Sequence, residues 1–592
     1  MRLRTLGRLF ITLILLFVTQ KILFMLYNIP MANGAPFLSC LASLWHGLRL
    51  DIATACYLLL LPVVVVLISY FFHWFPLRKV LLPYYILVAV VLSLIFVADT
   101  VLYSFWGAKL DANDLIYAAK PRDMLASLTI WATVVAFLVV GGLAYHYTRR
   151  LLHATQATLD APRSWLRCLW ILPIAGLLFL GMRGGVSEST ANPSYAYFSQ
   201  YPFCNHAALN PAFNIFHSLF KVQDFSSEFD VMPEADVEQI TGNVYDPDNT
   251  LADTLLNTTR PNILLIIWEG AGEGMVGSDS VAPCLHSLIP QGVFFSNCYA
   301  NSYRTDRGLI SVLSGWLGLP TTTLMKRPDI CRNLPSIASS LRSVNYATSI
   351  TYGGDIDFTN MRLYFSETGF STVNGREAFS SSQRTSAWGV PDEYLLTPGL
   401  IPSERPFLST VLTLSSHEPW EVPMHRLDDY KRNSFAYTDS CIGVFLGQLR
   451  STPLWDSLLV IIVPDHGIPY ADGQSTSDVE VARIPMLWVG GAVRSPRIVD
   501  LLCSQSDLAA TLLAQMNIPA DHFPFSRNIM GVQYPQRRQF AIHSDKNCLN
   551  LILPDGHWLY DCVSRTLQPD DKSQLLFVEA LMQRLYKTTA SL

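Results

Sequence analysis

The sequence predicts a two-part protein, in which an N-terminal five-helix transmembrane domain precedes a C-terminal α/β domain with a central, mostly parallel sheet. Two observations support this fold class. Apolar residues are concentrated in the first third of the chain, and beyond residue 260 short apolar runs alternate with amphipathic helical stretches, as in doubly wound sheets. We expect a membrane domain over residues 1–183, a connector over 184–259 and an exported domain over 260–592.

Five apolar stretches reach the roughly 20 residues that a helix needs to cross a bilayer core about 30 Å thick. The predicted spans are residues 9–27, 52–72, 80–103, 128–147 and 166–182. Lys21 lies near the end of the first span, where its side chain is expected to snorkel to the interface. A cleavable signal peptide is the competing interpretation of that span, but no small-residue cleavage site follows it and four more spans do.

Basic residues in the short loops predict the orientation, because loops rich in Lys and Arg stay in the cytoplasm. Three segments that fall on one face carry Arg2, Arg4, Arg8, Arg78, Lys79, Arg149, Arg150, Arg163 and Arg167. The loop with Lys109, Lys120 and Arg122 runs mildly against this rule. The balance places the N-terminus inside and everything after about residue 183 outside.

Composition limits the classes of partner that we expect and indicates where the connector and the cysteines lie. The net charge of −5 gives no reason to expect a nucleic acid partner. The connector is rich in aromatic residues, which favour the membrane interface, and its acidic end from Asp224 to Asp253 predicts a solvated tether. Eight of the eleven cysteines lie in the exported part, where Cys548 and Cys562 flank a predicted hairpin and form the best candidate disulfide; buried free thiols are the alternative.

Chemically reactive residues follow the predicted strands directly. Residues 262–268 and 458–463 are continuous apolar runs typical of parallel strands buried on both faces, and 407–414 and 484–489 are further strand candidates. Ligands of such sheets bind beyond the carboxyl ends of the strands. Glu269 ends the first run, and Asp465 and His466 follow the second, so together they predict a divalent cation site. Taken singly, Glu269 also fits a helix cap and Asp-His-Gly a turn.

Thr305 is the candidate nucleophile. It begins a predicted helix after the strand-like run 292–296, and a hydroxyl there lies among backbone N–H groups that suit a phosphate-like anion. Metal coordination would lower the hydroxyl pKa for attack. An ordinary helix-capping threonine is the alternative.

These residues, together with the segment Ser415-Ser-His-Glu-Pro-Trp, resemble the lipoteichoic acid synthase family of the alkaline phosphatase and sulfatase superfamily. Further matching segments begin at Tyr352 (Tyr-Gly-Gly-Asp-Ile-Asp-Phe-Thr-Asn-Met), Trp388 (Trp-Gly-Val-Pro-Asp-Glu), Arg483 and Ser504. The resemblance extends over nearly the whole chain, including the five spans and the interfacial connector.

The resemblance implies a phosphotransferase in a bacterial inner (cytoplasmic) membrane, with a sulfatase-like catalytic domain on the extracytoplasmic, periplasmic side. One Mn²⁺ or Mg²⁺ ion, with Zn²⁺ as an alternative, would be bound by Glu269, Thr305, Asp465 and His466. Thr305 would attack the phosphodiester of a phosphatidylglycerol-like membrane phospholipid, and a cell-envelope glycan or polymer would accept the phosphoglycerol group. The residues implied in substrate binding are His417, Asp355, Arg304, Phe358 and Asn360.

One departure puts the lipid head group in question. The family commonly has a tryptophan and an arginine near Thr359 and Met361, whereas this chain has only the adjacent Arg362. A phosphoethanolamine transferase of the same superfamily is therefore an alternative, although its usual extra histidine cluster is not found in the sequence. A sulfatase or phosphodiesterase fits less well, because the Thr-Asp-Arg-Gly segment lacks the Cys/Ser-x-Pro-x-Arg pattern. A catalytically inactive lipid-binding sensor is the non-enzymatic alternative.

Overall fold

The computed structural model describes residues 2–72, 76–112, 130–156, 170–219 and 224–592. These residues form two compact units, Met1–Gln223 and Asp224–Leu592. The segment predicted as a connector, residues 184–259, is thus divided, and its first part folds with the N-terminal unit while the rest folds with the C-terminal unit.

The N-terminal unit is helical. Its helices are α1 (Arg2–Tyr27), α2 (Phe37–His46), α3 (Leu48–Phe71), α4 (Leu77–Trp106), α5 (Ile130–Gln156), α6 (Ile171–Arg183), α7 (Pro202–Ala208) and α8 (Pro211–Leu219). Among the described residues, three helical runs are long and apolar enough to cross a membrane: Arg4–Tyr27, Phe37–Ser69 and Leu77–Phe105.

The predicted count of five spans is not confirmed. Helices α5 and α6 occupy the positions of the fourth and fifth predicted spans, but α6 has only 13 residues, and residues 128–129 and 166–169 of those spans lie outside the described part. Since a crossing needs roughly 20 apolar residues, the fourth and fifth spans stay a prediction.

Lys21 does not snorkel as expected. Its side chain is 3% exposed, and its ammonium group lies 2.7 Å from a carboxylate oxygen of Asp51 in α3. Asn210 donates a second hydrogen bond to Asp51, at 2.8 Å. The Asp51 carboxylate neutralises the lysine charge inside the helical unit, so the side chain does not have to reach the membrane interface. A paired buried charge avoids most of the desolvation cost.

The C-terminal unit combines strands and helices. Its helices are α9 (Phe225–Glu228), α10 (Glu234–Thr241), α11 (Glu273–Val276), α12 (Pro283–Leu288), α13 (Thr305–Ser314), α14 (Pro328–Cys331), α15 (Ile337–Ser343), α16 (Met361–Glu367), α17 (Asp392–Leu395), α18 (Tyr430–Arg450), α19 (Val479–Ala482), α20 (Leu508–Gln515) and α21 (Lys572–Ala590). The strands are β1 (Asn262–Trp268), β2 (Val293–Tyr299), β3 (Ala347–Tyr352), β4 (Thr372–Asn374), β5 (Phe407–Leu412), β6 (Leu458–Pro464), β7 (Arg483–Val489), β8 (Arg497–Val499), β9 (Cys503–Ser504), β10 (Ala541–Asp545), β11 (Cys548–Leu553), β12 (Gly556–Asp561) and β13 (Thr566–Gln568).

The main sheet is the mostly parallel sheet that the sequence predicts. Its strand order is β4-β3-β5-β1-β6-β7-β2-β8, with β9 also paired to β2. Strand β7 runs antiparallel to its neighbours β6 and β2, and the other pairings are parallel. Every residue of β1 and β6 is buried, as expected for central strands covered by helices on both faces. Because β7 reverses direction between β6 and β2, the carboxyl ends of β1, β5, β6 and β2 share one edge.

A second, antiparallel sheet has the order β10-β11-β12-β13. Cys548 begins β11 and Cys562 follows β12, so the predicted hairpin between them is present. Both cysteines are unbonded thiols in the structure, as are the other cysteines among the described residues. The predicted disulfide between them is therefore not confirmed.

Candidate metal centre and active site

Strand register brings two carboxylates side by side. The pairing of β1 with β6 ends at Trp268 opposite Pro464, so Glu269 and Asp465 are the next residues of two neighbouring parallel strands. His466 follows immediately. The three side chains are 4%, 0% and 7% exposed, respectively, and their potential ligand atoms all lie within 4.8 Å of one another. Two carboxylates and an imidazole thus lie close together at this edge of the sheet.

Thr305 also lies beside this group, because it is the first residue of α13, which follows β2 along the chain. Its hydroxyl oxygen lies 3.2 Å from Oε2 of Glu269 and 3.4 Å from Nε2 of His466. Arg304, and not Thr305, occupies the N-cap position of α13, and the threonine hydroxyl donates towards Glu269. Thr305 therefore does not act as the N-cap residue of α13, and its hydroxyl is directed to the acidic group.

One oxygen of this cluster has no hydrogen-bond donor. Oδ1 of Asp465 accepts the backbone N–H groups of Gly270 and His466, both at 2.9 Å. Oδ2 is buried and has no hydrogen-bond partner among the described residues; Nε2 of His466 lies 3.4 Å from it, as an ion-pair contact. A buried carboxylate oxygen without a donor is costly unless a cation binds it. Nδ1 of His466 is 3.0 Å from the carbonyl of Gly467, which leaves Nε2 directed at the site. The donor set and this orphaned oxygen fit a divalent cation.

The ionisation of the cluster is strongly coupled. Burial raises the pKa of Glu269, but the hydrogen bond and positive charge of His466 more than offset it, and the pKa of Glu269 falls to about 2. Burial and the charge of Glu269 raise the pKa of Asp465 to about 7. Burial lowers the pKa of His466, yet Asp465 and Glu269 raise it to about 10. A proton on His466 therefore balances Glu269 when no cation does.

A glycine lets the nucleophile helix approach the metal-binding strand. A Cβ atom built on Gly308 of α13 would lie 2.0 Å from the carbonyl oxygen of Asp465. Any larger residue at this position would push the start of α13 away from the end of β6. The separation of Thr305 from the acidic group thus depends on a backbone contact one turn into the helix.

His417, one of the residues implied in substrate binding, follows β5 and contributes to lowering the pKa of Glu269. Its ring packs edge-on against Trp388 with centroids 5.1 Å apart. Nδ1 of His417 lies 2.6 Å from the carbonyl of Glu418, which leaves Nε2 available to a ligand. Arg304 precedes Thr305; its side chain is 49% exposed, and its Nε lies 4.0 Å from Oδ1 of Asp306.

The other three implied residues lie in the loop after β3, two strands away from β1. Asp355 is 3.9 Å from Arg376 and accepts the N–H of Asp357. Phe358 is 38% exposed, whereas Asn360 is 2% exposed and its amide nitrogen has no partner among the described residues. The role of these three residues in binding stays a prediction.

Arg362, the only cation near the position of the family's arginine, is already neutralised. Its Nε donates to Asp357 at 2.9 Å, and its Nη2 contacts Glu377. The side chain is 16% exposed. Two carboxylates therefore hold this guanidinium, and it does not present a free positive charge for a lipid phosphate.

Sequence reasoning missed the polar residues that hold the metal-binding group in place. The backbone of Glu269 donates to Thr413 Oγ1 at 3.0 Å and accepts from Ser416 Oγ at 2.7 Å. Gln505 is fully buried, and its amide nitrogen donates to the carbonyls of Pro464 and Asp465 while its Oε1 accepts from the N–H of Asn301. These residues lie in or beside segments already recognised as matching the family, which is the one signal that pointed to them.

The sequence matches known proteins over part of its length. Residues 261–518 match the family described as Sulfatase. A lipoteichoic acid synthase-like protein, YvgJ of Bacillus subtilis, is 20% identical over 276 residues, which cover 41% of this chain and 44% of that relative. The chain thus aligns with less than half of YvgJ.

A protein in the alkaline phosphatase superfamily from Vibrio parahaemolyticus has a similar fold, with 22% identity, a TM-score of 0.52, and coverage of 61% of this chain and 98% of that one. The lipoteichoic acid synthase LtaP from Listeria monocytogenes aligns with 17% identity, the same coverage and a TM-score of 0.49. The unit with the parallel sheet thus matches the Sulfatase family over residues 261–518, and a lipoteichoic acid synthase-like protein is among the relatives of the chain.

Proposed function

We propose that this protein is a membrane-anchored, metal-dependent phosphoglycerol transferase that uses Thr305 as its nucleophile. The donor is a phosphatidylglycerol-like lipid, and the acceptor is a hydroxyl of a cell-envelope glycan or polymer. Its N-terminal helices cross a bacterial inner membrane five times and place the catalytic domain outside. The similarity to a lipoteichoic acid synthase-like protein supports this choice of donor and acceptor.

One observation carries the proposal: the Thr305 hydroxyl faces the acidic cluster. The oxygen lies 3.2 Å from Glu269 and 3.4 Å from His466, beside the buried orphaned oxygen of Asp465. A hydroxyl in that position would share a bound cation with the three other groups, and it is partly exposed, as attack on a lipid phosphate requires. A purely structural threonine would instead hydrogen-bond to its own helix.

The reaction has two displacement steps. Thr305 gives up its hydroxyl proton as Oγ1 attacks the phosphorus, the bond from phosphorus to the diacylglycerol oxygen breaks, that oxygen takes up a proton, and a phosphoglycerol-threonine ester remains. An acceptor hydroxyl then loses its proton as it attacks the same phosphorus, and Thr305 leaves with its Oγ1 protonated again. A bound Mn²⁺ or Mg²⁺ supplies a lowered hydroxyl pKa and charge neutralisation at the phosphoryl oxygens.

The remaining residues of the site act on charge and position. Nε2 of His417 is placed to donate to a phosphoryl oxygen or to the leaving oxygen, since its Nδ1 is held by a backbone carbonyl. Arg304 contributes positive charge beside the nucleophile, while Arg362 is neutralised by Asp357 and Glu377. Phosphate recognition therefore depends on the cation, His417 and Arg304.

The direct test is head-group release by the purified full chain in mixed micelles with Mn²⁺ and radiolabelled phosphatidylglycerol. We expect diacylglycerol from the wild-type protein, a reduced yield from Thr305→Ser and none from Thr305→Ala. Exposed Thr259, before β1, provides a control: Thr259→Ala should behave as wild type. Equal activity of Thr305→Ala and wild type would contradict the nucleophile assignment.

Substrate arms separate the proposal from its alternatives. Phosphatidylethanolamine as the only lipid consumed would identify a phosphoethanolamine transferase, and cleavage of an aryl sulfate alone would identify a sulfatase. Product analysis with and without an added glycan distinguishes transfer from hydrolysis, because water and a sugar hydroxyl compete for the same phosphoglycerol-threonine ester. Metal binding without turnover of any lipid would favour the inactive sensor.

A further inference from the structure

Two cysteines that are far apart in the chain come together in the N-terminal unit. Cys40 lies in α2 and Cys204 in α7, 164 residues later, and their sulfur atoms are 3.8 Å apart. Cys204 is buried and Cys40 is half-buried. We propose that Cys40 and Cys204 form a disulfide in the mature protein, which joins the helix before the second predicted span to the segment that follows the last one.

The two helices are held close enough for such a link. Ser43, one turn after Cys40, donates from its hydroxyl to the backbone carbonyl of Cys204 at 2.8 Å. Just after α2, a Cβ atom on Gly47 would lie only 2.1 Å from the carbonyl oxygen of Ala208 and 2.1 Å from Nζ of Lys21, so the backbone that follows α2 closely approaches the end of α7. Disulfides require such close backbone approach, and the thiols then close by side-chain rotation to a bond of about 2.05 Å.

Both cysteines lie on the exported side in the arrangement proposed above, on which this inference rests. Cys40 follows the first predicted span, which leads outwards from a cytoplasmic N-terminus, and Cys204 follows the fifth. Helix α2 begins the apolar run Phe37–Ser69, whose 33 residues exceed the roughly 20 that a crossing needs, so its first turns fit at the membrane interface. It also carries the exposed apolar residues Phe37, Leu38 and Trp45, typical of that depth. Disulfides persist in that compartment and are rare in the cytoplasm.

The chemistry is a thiol–disulfide exchange with an extracytoplasmic oxidoreductase whose active-site disulfide is the oxidant. Half-buried Cys40 attacks a sulfur of that disulfide and forms a mixed disulfide, and the released oxidoreductase thiolate takes the proton of Cys40. Cys204 then attacks the Cys40 sulfur, and its proton passes to the second departing thiolate. One disulfide is made, one is broken, and the oxidoreductase leaves as a dithiol. Burial raises the pKa of the Cys204 thiol to about 12, which favours Cys40 as the first to react.

The consequence is a covalent clamp on the juxtamembrane segment. Asn210, two residues after α7, donates to Asp51, which also pairs with Lys21, so the segment is already tied to α1 and α3 by buried polar contacts. A disulfide adds a constraint that closes a loop of more than 160 residues in the unfolded chain. Long loops lose the most conformational entropy on closure, so the oxidised protein should melt at a higher temperature than the reduced one.

The experiment uses the full chain in cells from which any outer membrane has been removed. Thiols are blocked with N-ethylmaleimide in denaturant without reductant, and the digest is examined by mass spectrometry. We expect a Cys40–Cys204 linked peptide, two hydrogens lighter than the two thiol peptides together, which disappears after reduction. Cys40→Ser and Cys204→Ser should each leave the other cysteine alkylated. Cys56→Ser, at a buried cysteine of α3, is the matched control and should retain the link.

A Ser403→Cys reporter distinguishes failure of the proposed disulfide from failure of the proposed topology. Ser403 is exposed in the C-terminal unit, and a membrane-impermeant maleimide labels the reporter only if that unit is exported. Labelling together with the linked peptide supports the inference. Labelling with both cysteines recovered as alkylated thiols overturns it and leaves the topology intact. An unlabelled reporter overturns the topology, and the inference falls with it. As a second measurement, reductant should lower the melting temperature of the wild-type protein but not that of Cys40→Ser.

Discussion

Replacing Gly308 by alanine should disable the catalytic centre without unfolding the domain. Gly308 lies one turn into α13, where its Cα faces the carbonyl oxygen of Asp465. An alanine Cβ would lie 2.0 Å from that oxygen, and Cβ atoms essentially never come closer than 3.0 Å to another heavy atom. The start of α13 and the end of β6 must therefore move apart by about 1 Å, because a close-packed interior offers no other relief.

The size of the effect follows from the geometry at Thr305. Its hydroxyl lies 3.2 Å from Glu269 and 3.4 Å from His466, so a shift of that size takes it out of reach of a shared cation. Misplacement of a reacting group by ~1 Å typically costs about 100-fold in rate. Helix propensity acts in the other direction, since alanine favours a helix over glycine by roughly 1 kcal/mol. A loss of activity would thus reflect displacement and not a weakened helix.

The assay combines turnover, metal affinity and melting temperature. Gly308→Ala should release diacylglycerol about 100-fold more slowly than wild type and bind Mn²⁺ more weakly, with a cooperative melting transition retained. Gly447 of α18 provides the matched control, because a Cβ there meets nothing within 4 Å. Gly447→Ala should keep full activity. Wild-type turnover and metal affinity in Gly308→Ala would show that the approach of α13 to β6 does not set the site.

Three further outcomes are expected. Gln505→Glu replaces the donor to the Asp465 carbonyl with a carboxylate, so Mn²⁺ affinity measured by calorimetry should fall about 10- to 100-fold, whereas exposed Gln448→Glu should not change it. Because the pKa of His466 is raised to about 10, the metal-free protein keeps the proton on His466 at pH 8. Calorimetry in buffers of different ionisation enthalpy should therefore show about one proton released per Mn²⁺ bound. No proton release would contradict the raised pKa of His466. Arg527→Leu leaves a buried carboxylate unpaired, since Arg527 lies 2.6 Å from Asp507 with both side chains buried, and should cost about 3 to 5 kcal/mol in denaturant unfolding. Arg497→Leu breaks a solvent-exposed pair and should cost less than about 1 kcal/mol; equal losses would contradict this ranking.

The amino-acid sequence by itself determined the class of the C-terminal domain and the position of its acidic residues along the strands. Continuous apolar runs such as Asn262–Trp268 are local patterns, and burial on both faces follows from the absence of a polar face. Parallel strands bring their carboxyl ends to a common edge, so Glu269 and the Asp465-His466 pair were expected to meet once the strands were recognised. The three long apolar helical runs of the N-terminal unit were predictable for a similar reason, because the length of an apolar stretch is a local property.

Tertiary structure alone decided which groups touch. No local pattern gives the 3.2 Å between Thr305 and Glu269, the neutralisation of Arg362, or the bridge that Gln505 makes between β6 and the loop leading to Thr305. The expected snorkelling of Lys21 was wrong because its partner, Asp51, lies on another helix. Contacts of this kind join residues that are distant in the chain, and their geometry depends on the packing of whole elements. Sequence periodicity records only which face of each element is buried, so it places a residue on an edge or a face but does not select its neighbour.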